Sequence, residues 1–216
     1  MLSSLCCLLL FLVFDSTIVS SFQRPLTSLS NSIQTVIAKE EAQSYVIIQN
    51  LQYSNIGSIC RNCMAFNVKE VIVVGRDEKI MNTRAVRRAS GGSLLRKAGQ
   101  NQRIPCKYTE SLFEAINYVK QISPDCIIIG VEITEDAIPI LSQPFSSTTV
   151  FLFGNEGDGL NDEQKQLCDK FVYIPQYNKM GIASLNVACA SAIVLQSFAV
   201  WARFDETQKS GGKFIC

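Results

Sequence analysis

The stretch Thr149–Phe198 decides the fold. It opens with the apolar run TVFLF (Thr149–Phe153) and passes directly into GNEGDGL (Gly154–Leu160). A second apolar run, FVYIP (Phe171–Pro175), follows a short polar stretch, and a loop holding GIASLNV (Gly181–Val187) leads into the small-residue segment ACASAIVLQSF. Two strand-like runs thus end in Gly-bearing loops, with a helix-like segment packed behind them. The carboxyl ends of strands in an open α/β sheet are where such folds bind ligands. The chemistry is therefore expected here.

The same grammar extends outward. Tyr45–Leu51 (YVIIQNL) reads as a first strand, Gln52–Gly57 as a turn, and Ser58–Phe66 as a helix with Ile59, Cys63 and Phe66 on one face. Val71–Gly75 (VIVVG) and Cys126–Val131 (CIIIGV) are continuous apolar runs, the mark of strands buried on both faces. Between them Glu110–Ile122 has the spacing of an amphipathic helix, with Leu112, Ile116 and Val119 on its apolar side. Glu132–Ser147, broken by Pro139 and Pro144, reads as a loop with a short helical turn. Helices are expected over Asn161–Cys168 and Ala183–Phe204. Strands alternating with helices define an α/β fold, a mostly parallel sheet with helices on both faces.

Composition narrows the chemistry. The chain has 216 residues, 47% hydrophobic and 18% charged, with a net charge of +1 and no histidine. The commonest general base and metal ligand are therefore missing. The nine cysteines include Cys6 and Cys7 near the start, and the others are scattered, several inside apolar runs. They read as buried free thiols. Cys60-Arg-Asn-Cys63 has neither a second pair nor a histidine to complete a zinc site, so it reads as helix packing and no metal is expected.

Leu5–Phe14 is a signal-like apolar run too short to span a bilayer, and Ser16–Lys39 is Ser/Thr-rich and free of acids. Residues 1–40 read as a two-part targeting leader of the kind that leads to a secondary plastid, with a mitochondrial or secretory destination as the alternatives. That leaves a domain over 41–205, a loose tail over 206–216, and no membrane segment in the mature form. The charge is uneven within the domain. Lys79, Arg84, Arg87, Arg88, Arg96, Lys97, Arg103 and Lys107 occur with no acid between Lys79 and Thr109, around the flexible Ser90-Gly-Gly-Ser93. Arg84, Arg87 and Arg88 share one face if this part is helical. Such a cluster suits a phosphate backbone, so RNA is the expected partner through Arg84, Arg87, Arg88, Arg96 and Lys97.

Three segments carry a family resemblance. Asn55-Ile-Gly-Ser-Ile-Cys-Arg61, Phe153-Gly-Asn-Glu-Gly-Asp-Gly-Leu160, and Ile174-Pro175 with Ser184-Leu-Asn-Val187 resemble the three motifs of the SpoU (TrmH-like) RNA 2′-O-ribose methyltransferases, of the SPOUT superfamily. Arg88-Ala-Ser-Gly91 resembles the segment between the first two. The resemblance implies a deep trefoil knot in the C-terminal part, a homodimer, and S-adenosyl-L-methionine as cofactor. The cofactor would be held by Gly154, Glu156, Ile174, Ser184, Leu185 and Asn186. It also implies methyl transfer to a ribose 2′-hydroxyl in tRNA or rRNA, tRNA being favoured by the small build. Arg61, Asn55 and Glu156 would form the catalytic group. Arg61 would act as base or, because its pKa stays above about 12, as orienting and charge-stabilising group. A catalytically inactive RNA-binding module of the same fold is the alternative. A nicotinamide-nucleotide oxidoreductase is disfavoured, since G-x-G-x-x-G is absent.

Overall fold

Seven strands form one sheet in the order β3-β2-β1-β6-β4-β7-β5, and every neighbouring pair is parallel. The computed structural model describes residues 41–89, 104–155, 157–177 and 184–214. The strands are β1 (Ser44–Gln49), β2 (Glu70–Val74), β3 (Cys106–Thr109), β4 (Ile127–Val131), β5 (Ile138–Pro139), β6 (Thr149–Phe153) and β7 (Lys170–Tyr173). The helices are α1 (Tyr53–Ala65), α2 (Lys79–Asn82), α3 (Arg84–Ala89), α4 (Leu112–Ile122), α5 (Asp162–Gln166) and α6 (Val187–Trp201).

Alternation of side chains across the pleat builds two cores. Val46, Ile48, Val73, Phe151 and Phe153 point to the layer of α1, α3 and α6, while Tyr45, Ile47, Ile72, Val150 and Leu152 point to α4. Both faces are thus covered, which is why the central strands are apolar at every position. On the α6 side Phe145, Phe151, Phe198 and Trp201 pack ring against ring, with Phe145 and Phe198 edge-on at 5.2 Å.

Local chemistry sets the helix ends. Ser111 caps α4, its Oγ accepting from Glu114 N at 3.2 Å. Asn161 and Gln164 form a reciprocal capping box on α5. Asn67, in the left-handed region at φ 54, ends α1, and Val68 N then donates to Cys63 O at 2.9 Å. That closing bond satisfies a carbonyl the helix would leave open.

Several boundaries differ from the sequence reading. The expected turn over 52–57 is the first turn of α1, with Ile56 N donating to Gln52 O at 3.0 Å. Burial of Asn55, Ile56 and Ile59 outweighs the modest helix penalty of Gly57. α6 starts at Val187 rather than Ala183, because Asn186 caps it. The edge strands β3 and β5 lacked an apolar signature: β3 is only partly buried inside a cationic stretch, and β5 is a two-residue strand containing Pro139. Short polar or proline-bearing strands are typical of sheet edges. Within the tail, β8 (Lys209–Ser210) and β9 (Lys213–Phe214) pair as a small antiparallel hairpin that turns at Gly211 with φ 58. The thiols are not all buried either. Cys189 is exposed, and Cys106 and Cys168 are half-buried. No helix among the described residues is long and apolar enough to cross a membrane.

Candidate active site

A cavity of about 460 Å³ opens at the carboxyl ends of β4, β6 and β7, against the N-terminus of α6. Its size suits a nucleoside-sized ligand. One wall is the loop after β6. Asn155 and Gly159 exchange backbone hydrogen bonds at 2.9 and 3.0 Å, and Gly157 N donates to Asn155 Oδ1 at 2.9 Å. Asn155 Nδ2 reaches across to Asn50 O at 2.7 Å, fastening this loop to the β1–α1 connection.

Two glycines make the loop possible. A Cβ on Gly154 would run into the backbone of Gly159 and Leu160. Gly159 has φ +69, and a Cβ there would strike the Glu132 carboxylate. Glu132, just beyond β4, accepts from Leu160 N and from Ile133 N, each at 2.9 Å. It therefore props the glycine loop from below. Sequence reasoning passed over it as the start of a loop. The available signal was an acid immediately after a buried strand, at the sheet end that also carries GNEGDGL.

The other wall is set by α1 and α6. Asn186 caps α6, its Oδ1 accepting from Ala188 N at 2.9 Å, and its Nδ2 donates to Oδ1 of the buried Asn55 at 3.3 Å. Further along α1, Asn62 Nδ2 donates to Ala188 O at 2.8 Å and to Ser191 Oγ at 2.9 Å. The buried Asn55 would be costly unbonded, and with Asn62 it ties α1 to the start of α6 at the cavity wall. Asn62 was the second residue that the motif pattern did not reveal.

Gly154, Ile174, Ser184, Leu185 and Asn186 all line the cavity. Asn55 lies one hydrogen bond behind it. Glu156 falls outside the described residues, between the lining residues Asn155 and Gly157. Arg61 is exposed on α1 and is not part of the cavity wall, so the chain does not gather it with the cofactor-type residues. Arg84, Arg87 and Arg88 are exposed on α3, which packs against α1. Arg96 and Lys97 fall outside the described residues.

The thiols of the C-x-x-C segment are unsuited to chemistry. Burial pushes Cys60 up to about 12 and holds Cys63 well above the ordinary thiol range. Neither forms a thiolate at neutral pH. Among the described residues no cluster of three ligating side chains could hold a metal.

Fold and site together define a doubly wound parallel α/β protein with a glycine-walled ligand cavity at its strand ends. More particularly, the chain belongs to the SpoU rRNA Methylase family, whose pattern it matches over residues 43–196. It is 29% identical over 144 residues to a 23S rRNA (uridine(2479)-2′-O)-methyltransferase of Streptomyces viridochromogenes, covering 65% of this chain and 46% of that one. It is 30% identical over 159 residues to the tRNA (cytidine-2′-O-)-methyltransferase TrmJ of Methanocaldococcus jannaschii, covering 69% of this chain and 64% of the relative. The chain thus spans about half to under two thirds of the length of these relatives. Among solved structures it resembles the SpoU methyltransferase AviRb of Streptomyces viridochromogenes in complex with AdoMet. The TM-score is 0.61 and the identity 25%, over 76% of this chain and 59% of that one.

Proposed function

We propose that the protein is an S-adenosylmethionine-dependent RNA methyltransferase acting on a ribose 2′-hydroxyl of tRNA or rRNA. The observation that carries this reading is the cavity itself. Five residues assigned to the cofactor by motif resemblance alone line one pocket of suitable size. Its fit to the cofactor is supported by Gly154 and Gly159, which let the loop fold tightly on itself and on Glu132 at the cavity wall, where a side chain would displace it. Their backbone would lie against the nucleoside, Ile174 and Leu185 would wall the adenine, and Asn186 would be held in register by Asn55. When bound, S-adenosylmethionine supplies a sulfonium-activated methyl group.

Arg61 then belongs to the RNA side of the reaction. Exposed, and without a carboxylate partner among the described residues, it is available to orient the hydroxyl and the adjoining phosphate and to stabilise developing oxyanion charge. The cations of α3, carried by the same layer, would extend that grip. A homodimer is supported by the apolar, exposed side of α6, where Cys189, Ile193 and Val200 share a face that the monomer leaves open. Threading of the C-terminal part as a deep trefoil knot is supported by strand order: β6 enters between β1 and β4, and β7 between β4 and β5.

The test is methyl transfer from labelled S-adenosylmethionine to separate tRNA and rRNA pools by the full chain, with nucleoside mass spectrometry to locate the label. A 2′-O-methyl nucleotide is expected, formed at least about 100-fold more slowly by Arg61→Ala, with cofactor affinity unchanged. A folded protein that binds no cofactor would refute the enzyme reading and leave an RNA-binding module.

A further inference from the structure

The cavity leaves unexplained a pair of side chains at the same end of the sheet. Tyr53 opens α1, yet the residue is 45% exposed. The Arg76 guanidinium lies over that ring at 4.9 Å from its centroid. Arg76 itself is half-buried and pairs with no carboxylate among the described residues. Its Nη2 donates instead to Leu51 O at 3.4 Å. Gly75, at φ +69, turns the chain immediately after β2, and Arg76 follows that turn to reach back to the end of β1.

The position is as informative as the pair. The connection Asn50–Gln52 is fastened on one side to the cavity loop, through Asn155 and Asn50, and on the other to Arg76, through Leu51. Two residues after Tyr53, Asn55 bonds to Asn186 of the cavity wall. Tyr53 and Arg76 therefore stand beside the connection that is fastened to the cavity loop, and Arg76 also lines a shallow recess with Gly75, Asp77, Lys107 and Thr109 at the ends of β2 and β3. An arginine that only steadied the turn would need no aromatic partner in solvent. A flat ring topped by a planar cation is instead the surface on which an unstacked base rests, with a phosphate within reach of the guanidinium.

We propose that Tyr53 and Arg76 form a stacking site for an unpaired nucleobase of the substrate RNA, neighbouring the nucleotide that enters the cavity. This rests on the reading of the protein as an RNA methyltransferase. The site is sequence-tolerant, because every base has a π face, but favours purines, whose larger rings stack better. It assigns the α1 N-terminal turn to RNA positioning, separate from the phosphate grip of α3.

The test is fluorescence anisotropy of the full chain with labelled single-stranded oligo(A) and oligo(U) of about twelve nucleotides, a length typical of single-strand sites. Tyr53→Phe, Tyr53→Leu and Arg76→Gln are compared at several salt concentrations. Wild type and Tyr53→Phe should prefer oligo(A). Tyr53→Leu should weaken oligo(A) binding on the order of tenfold and abolish the preference, with an unchanged salt slope because the cations that meet the phosphates are all still present. Arg76→Gln should weaken both RNAs. S-adenosylmethionine affinity, read by calorimetry, should stay at the wild-type value in all three and so certify their folding. Tyr53→Leu binding both RNAs like the wild type would overturn the stacking site while leaving the methyltransferase reading intact. Failure of the wild type to bind either RNA or the cofactor would remove both.

Discussion

The two halves of the sheet are built by different rules. In the half β1-β2-β3 each new strand lies beside the one before it, and the connecting segments carry the exposed cations of α3. In the half β6-β4-β7-β5 later strands enter between earlier ones, and the connections are tight loops that wall the cavity. In the first half the connections bury one face, through Ile56, Ile59, Ile80 and Val86, and turn Arg61, Arg84, Arg87 and Arg88 outward. In the second, Gly154, Gly159 and Glu132 leave no room between backbone and carboxylate. The lesson is a division of labour: a tightly packed glycine loop beside the cavity on one side and an exposed cationic surface on the other.

The sharpest way to break this contrast is Gly154→Ala. The added methyl meets the Gly159–Leu160 backbone, so destabilisation by about 3 kcal/mol is expected, together with abolished S-adenosylmethionine binding. Thermal unfolding and calorimetry would check both, and a variant that binds normally would show the cradle to be soft. Glu132→Gln should come next. It replaces a carboxylate that accepts from two backbone amides with a group that offers only one oxygen, and cofactor affinity should fall roughly tenfold, about the worth of one hydrogen bond to a charged group.

On the other half, replacing Arg84 and Arg88 together by Gln should leave the unfolding temperature and cofactor binding unchanged. RNA affinity should fall equally for all sequences, with the salt slope reduced by about 0.7–0.9 for each phosphate no longer neutralised. A change in melting temperature would mean that these two guanidiniums, and not only the buried Val86, help hold α3 in place. The smallest effect concerns the thiols. By peptide mass mapping, iodoacetamide at neutral pH should modify Cys60 and Cys63 only as the protein unfolds, and Cys189 should react in a monomer but be shielded if the α6 face is the dimer seam.

How much of this was legible follows from the kind of signal each element gives. β1, β2, β4 and β6 announced themselves because burial on both faces demands unbroken apolar runs. β3 and β5 did not, since edge strands have one unpaired side and can be polar or carry proline. The cofactor-type residues Gly154, Ile174, Ser184, Leu185 and Asn186 were found by motif, and the cavity unites them. Glu132 and Asn62 escaped because their roles lie in reaching backbone groups far along the chain, at Leu160 and Ala188.

The sequence by itself determined the α/β class, the cationic segment and the glycine loops, because periodicity, charge and motif spacing are local properties, while the joining of α1 and α6 in one site was only implied by the family resemblance. Only the tertiary structure decided which strand lies beside which, that Glu132 props Gly159, that Asn55 and Asn62 pin the start of α6, and that Arg61 stands outside the cavity. It also decided that Arg76 lies over Tyr53. Each of these joins residues distant in the chain, and such a contact is fixed by the packing of the whole sheet, not by the residues that make it.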